Sequence, residues 1–154
     1  MKLLFGGLIS LMLLGLYVHL VYRGIEVARC PSLPGCTHYT PASFTPGMAQ
    51  ALSIVGGLVS ALVIAELAVT AHGRAPLTRI LDHRNAANWA VRTTAIVATC
   101  YVLVWIVAGF SAFITGLYHP EGLPALTAHG QGWLGLSVSA AYAYFGLSPA
   151  NSDT

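Results

Sequence analysis

The chain has 154 residues, of which 56% are hydrophobic and 8% charged, against about a quarter charged in an ordinary soluble domain. Its mean hydropathy of +0.71 leaves too little polar side chain to coat a water-soluble globule. A net charge of +2 with no basic run argues against nucleic acid as a partner.

Four apolar stretches follow one another along the chain, predicting an all-α integral membrane protein: one domain, a bundle of four transmembrane helices. The first, residues 3–22, follows Lys2. It is longer than the apolar core of a signal peptide and no A-x-A site follows it, so it reads as a retained spanning helix. Val27-Ala28-Arg29-Cys30 makes a poor lipoprotein box, because Arg29 stands where a small residue belongs.

Residues 23–47 form a proline-rich outer loop, long enough to be expected to fold against something. The second helix, residues 49–71, is apolar except for one carboxylate, Glu66. At about 1.5 Å per residue it reaches roughly 35 Å, enough to cross a hydrocarbon core of about 30 Å. A second loop carries Arg74, Arg79 and Arg84. The third helix covers residues 89–118, a short loop follows His119, and the fourth helix covers residues 131–147.

Basic residues set the expected orientation. Lys2, Arg74, Arg79, Arg84 and Arg92 fall on one side, Arg23 and Arg29 on the other. The richer side is cytoplasmic by the positive-inside rule, which places the bundle N-in/C-in in a bacterial inner membrane. Tyr17, Tyr22, Trp89, Tyr118 and Trp133 lie near the predicted interfaces, where aromatic belts form.

Three groups of residues are candidates for chemistry. Glu66 stands roughly 8 Å inside the cytoplasmic end of its helix. A carboxylate there must face the bundle, be paired or be protonated. Arg92 enters from the same side on the antiparallel third helix, and a structural Glu66–Arg92 ion pair is the plainer reading. A proton or cation pathway through Glu66 is the sharper one.

His19, His38, His119 and His129 all fall on the outer side. There His19 with His129 could bind haem, and His38 with His119 a metal. Interfacial histidines bonded to backbone, headgroups or water are the plainer account. His72 and His83 lie on the opposite side.

Cys30 and Cys36 share the outer loop, where a disulfide persists, and are expected to form one. Cys100, inside an apolar run, is expected to be a buried free thiol. In its four helices, cytoplasmic termini and cysteine pair in the first outer loop, the chain resembles the quinone-linked membrane proteins that generate disulfides. It departs from them in the five residues between Cys30 and Cys36, where that family has two. The loop from His119 to Gly130 also has no cysteine to relay electrons to a substrate. A structural staple is the plainer reading.

Small residues recur every fourth position at Gly56 and Ser60, at Ala108, Ala112 and Gly116, and at Ser137 and Ala141. Such stripes let helices approach closely, within the bundle or against a neighbour. No phosphate-binding loop, dinucleotide fingerprint, nucleophile elbow or H-E-x-x-H motif occurs. The reading that results is a small subunit of a larger membrane complex, energy-transducing or redox, with no catalysis of its own. Its partners would be lipid and other membrane proteins. A small carrier using Glu66 and a redox protein using the outer histidines or cysteines are the alternatives.

Overall fold

The computed structural model describes the backbone of residues 2–36, 40–71 and 89–145, and the side chains of these except 2–6, 41, 68–71 and 89–95. The described residues form four long helices, with no strand among them. These are α1 (Lys2–Arg29), α2 (Pro46–Ala71), α3 (Trp89–Tyr118) and α4 (Pro124–Phe145). Three candidate spans, Gly7–Ser32, Pro46–Leu67 and Ile96–Tyr118, are long and apolar enough to cross a membrane. Large apolar side chains such as Met12, Ile54, Leu58, Leu103, Val107 and Phe110 stand exposed on the outside of the bundle, a surface suited to lipid.

Two helices extend beyond their apolar runs. Beyond Tyr22, α1 continues through Arg23 and Glu26, whose side chains form an i,i+3 ion pair at 3.3 Å. The end of this helix packs on the α3–α4 turn. Gly24 faces the side chains of Leu123 and Leu126, and Gly122 lies against the backbone of Ala28. Tertiary contact therefore carries the helix past the point where apolarity alone would end it, shortening the expected outer loop. Likewise α4 starts at Pro124, seven positions before the predicted Gln131. Proline is at home in a first helical turn, where its missing N–H has no partner to lose.

The connection from α1 to α2 is built from turn chemistry. A 3-10 turn spans Cys30–Ser32. In Leu33-Pro34-Gly35-Cys36 the amide of Cys36 donates to the carbonyl of Leu33 at 3.3 Å, and Gly35 has φ +84°. Pro followed by a left-handed Gly is the signature of a type II turn. At the other end Thr45 caps α2, its hydroxyl accepting the Met48 amide at 3.3 Å, with Pro46 in the first helical position.

Around the bundle the helices are ordered α1, α2, α4, α3, each packed mainly on its two ring neighbours. The α3–α4 turn sits on the C-terminal end of α1, so α1 and α3 run one way and α2 and α4 the other. Contacts across the two diagonals, α1 to α4 and α2 to α3, are sparse. The core runs down the middle through Tyr17, Leu20, Leu52, Val59, Ala112 and Leu126. Where α3 and α4 cross, a Cβ on Gly130 would lie 2.7 Å from the Phe113 Cα, and Ala112 is fully buried. The stripe at Ala108, Ala112 and Gly116 is thus used inside the bundle. That at Ser137 and Ala141 is not, since Ala141 is exposed and Ala140 is buried in its place.

Candidate functional site

The sparse diagonals are the places where polar side chains meet. On the α1–α4 diagonal the Tyr17 hydroxyl and His129 Nε2 are hydrogen-bonded at 3.3 Å, with donor and acceptor set by the imidazole tautomer. Their rings meet edge to face with centroids 5.6 Å apart. On the α2–α3 diagonal the Trp105 indole N–H donates to the Ser60 hydroxyl at 2.9 Å. Both bonds cross the axis of an apolar bundle, where an unmet polar group is costly.

The two bonds form stacked layers. Gly56 and Ser60, and likewise His129 and Trp133, are one helical turn apart, about 6 Å along the axis. In the first layer a Cβ on Gly56 would collide with the His129 ring. In the second a Cβ on Gly109 would collide with the Trp133 indole. Each glycine is therefore the floor on which an α4 ring lies. Trp105 and Trp133 also meet, with centroids 5.5 Å apart and planes at 55°. Among the described residues, two buried atoms, the Trp133 Nε1 and the Tyr101 hydroxyl, have no hydrogen-bond partner.

Of the sequence candidates, His129 is the one drawn into this junction. Its neighbour across the diagonal is Tyr17, while His19 is exposed. Residues two apart on a helix point roughly 160° away from each other. Once Tyr17 faces α4, His19 must look outward. His119 is half-buried in the turn after α3, its amide donating to the Thr115 carbonyl at 2.9 Å. His38, His72 and His83 lie outside the described residues. Among the described residues no group of three or more His, Cys, Asp or Glu side chains converges as a metal site.

The sulfurs of Cys30 and Cys36 are at bonding distance, with their Cα atoms 5.4 Å apart. Cys100 is exposed on α3, which corrects its expected burial. Glu66 is exposed on α2, and the side chain of its expected partner Arg92 lies outside the described residues. Of the aromatics expected near the interfaces, Tyr17 and Trp133 are core residues and Tyr22 and Tyr118 are exposed, while the side chain of Trp89 lies outside the described residues. The glycines at positions 56 and 109 were the available signal for this buried layer, since a helix keeps such gaps where a ring must fit.

The arrangement can do two things chemically. It ties the four helices together through two crossed hydrogen bonds, and it holds one imidazole, half-buried, in the apolar interior. No protein-family model, curated protein or solved structure matches the chain.

Proposed function

We propose that the chain is a non-catalytic subunit of a larger bacterial inner-membrane complex, energy-transducing or redox in kind, with both termini in the cytoplasm. The observation behind this reading is the outward placement of Glu66. It belongs to the candidate span Pro46–Leu67, yet it is exposed on the bundle's outer surface. Among the described residues nothing hydrogen-bonds to it or pairs with it. A charged side chain on a lipid-facing surface is costly, by about 2.5–3.5 kcal/mol at the bilayer centre and less toward its edge, so that surface fits a protein neighbour better than hydrocarbon. Beside it Ser53, Gly57, Ala61 and Ala65, all exposed, form a shallow ridge against which another helix can lie.

Purification in mild detergent followed by mass spectrometry tests this. Discrete stoichiometric partners are expected with the native chain, and Glu66→Ala should release them. Arg92 is the proposed cation for Glu66. The double change Glu66→Gln with Arg92→Gln leaves no uncompensated charge and should restore much of the partner yield. A chain recovered alone, with solute or proton flux in proteoliposomes that Glu66→Gln abolishes, would overturn the subunit reading in favour of a carrier.

The orientation has its own test. A cytoplasmic reporter fused after Thr154 should be active and a periplasmic one silent. The reverse would overturn the inference from the basic residues.

A further inference from the structure

An open groove of about 390 Å³ runs between α1 and α3, walled by Val18, Tyr22 and Ile25 on one side and Val104, Val107 and Ser111 on the other. Along α1 its wall spans eight residues, Val18 to Ile25, about 10 Å of axis. That is too short and too small to seat a helix, which is about 10–12 Å across with its side chains. It suits a single hydrocarbon chain. The surfaces that line it are almost wholly apolar, and both walls belong to candidate membrane spans.

What stands above the groove gives the occupant its other end. Val18, Tyr22 and Ile25 follow one another at spacings of four and three, a single face of α1. The next step of four on that face is Arg29, exposed and about 6 Å further along the axis. The ridge is therefore apolar below and cationic at its top, the same order as an acyl chain beneath a phosphate. Of the other charges at this end, Arg23 is paired with Glu26. Glu121 is exposed in the turn whose Gly122 rests on Ala28.

The geometry points to a phospholipid site, with one acyl chain of an anionic lipid in the α1–α3 groove and its phosphate on the Arg29 guanidinium. Arginine is suited to that task because its planar donors match phosphate oxygens in pairs. The site is separate from the outward face of α2, which contributes none of its lining, and does not depend on the subunit reading. Glu121 acts against it as a nearby negative charge.

Native mass spectrometry of the full chain in mild detergent, titrated with phosphatidylglycerol and phosphatidylcholine together, reads the site directly. One saturable lipid per chain is expected, with phosphatidylglycerol favoured about fivefold, the effect of one cation near an anionic lipid. Arg29→Gln should bring that preference to about one while lipid still binds, and Glu121→Gln should raise it. Val107, 64% exposed in the groove wall, can be enlarged without disturbing the core. Val107→Trp should lower occupancy by both lipids about tenfold, the worth of roughly two buried methylenes. Val18→Phe fills the same groove from α1 and should do likewise, whereas Leu134→Trp on the exposed side of α4 should change nothing. Lipid binding that is unsaturable, or that both groove-filling variants leave intact, would overturn the site. So would dimers that Val107→Trp dissolves in place of lipid, which would assign the groove to a second copy.

Discussion

The two faces of α2 have nearly the same apolarity and opposite fates. Leu52, Val55, Gly56, Val59, Ser60 and Val63 are buried in the bundle, whereas Ser53, Ile54, Gly57, Leu58, Ala61, Leu62, Ala65 and Glu66 are exposed. Gly56 and Gly57 are chain neighbours. The first has the His129 ring against it, and the second has nothing within 4 Å. Apolarity does not select the inward face here, because apart from Glu66 the two faces are about equally apolar. What distinguishes them is where small residues meet aromatic rings and where a polar group finds an internal partner. Ser60 is satisfied from inside by Trp105, whereas Glu66 is exposed on the outer face.

That contrast is broken most severely at Gly56. Its replacement by leucine forces a side chain into the space of the His129 imidazole and separates α2 from α4. Overpacking of this kind costs typically 1–3 kcal/mol. The upper end is expected, because losing the Tyr17–His129 bond adds to it. Unfolding of the purified chain in mixed micelles of mild detergent and SDS measures the change. A Gly56→Leu chain as stable as the native one would mean that His129 does not lie on α2.

A smaller effect is expected on the same face one turn deeper. Ser60→Ala removes the acceptor for the Trp105 indole N–H and leaves that donor buried beside the Trp133 indole, whose N–H also has no partner among the described residues. An orphaned buried donor costs about 1–3 kcal/mol in water-soluble proteins, and hydrogen bonds between membrane helices are worth less on average. A loss near 1 kcal/mol is therefore expected in the same unfolding measurement. Trp105 fluorescence should shift as well, since its N–H environment changes. An unshifted spectrum with unchanged stability would remove Ser60 from the core.

How much of this was legible in the sequence follows from the same physics. Apolar length alone marks three of the helices as able to cross a membrane. The run that predicts residues 89–118 coincides with α3. The ends of α1 and α4 do depend on one. Arg23 and Glu26 read as loop residues until each is seen to neutralise the other. His129 and Gly130 read as an entry loop until the close approach of α3 explains the glycine. His129 was visible as a candidate. Tyr17 was not visible as its partner, since choosing it over His19 needs the rotation of α1 about its own axis. An apolar helix with no polar face does not encode that rotation.

The smallest effect on the fold, and the sharpest test of the comparison, is at the neighbouring glycine. Gly57→Leu places a large apolar side chain on the exposed face, where there is open space for it and where lipid would accept it. Within the chain it removes a helix-interior glycine, which by propensity alone is worth about 0.5–1 kcal/mol in the stabilising direction. Stability in mixed micelles should therefore be unchanged or slightly raised, the opposite sign to Gly56→Leu one residue away. The effect on assembly should be negative, because the added side chain fills the ridge formed with Ser53, Ala61 and Ala65 and holds a neighbouring helix at a distance. Partner yield in mild detergent should fall while yield of the chain itself holds. If both remain at native levels, the outward ridge is only a lipid surface, and Glu66 must be satisfied by something other than a helix packed against α2. If Gly57→Leu destabilises the isolated chain as much as Gly56→Leu does, the two faces of α2 have been assigned wrongly.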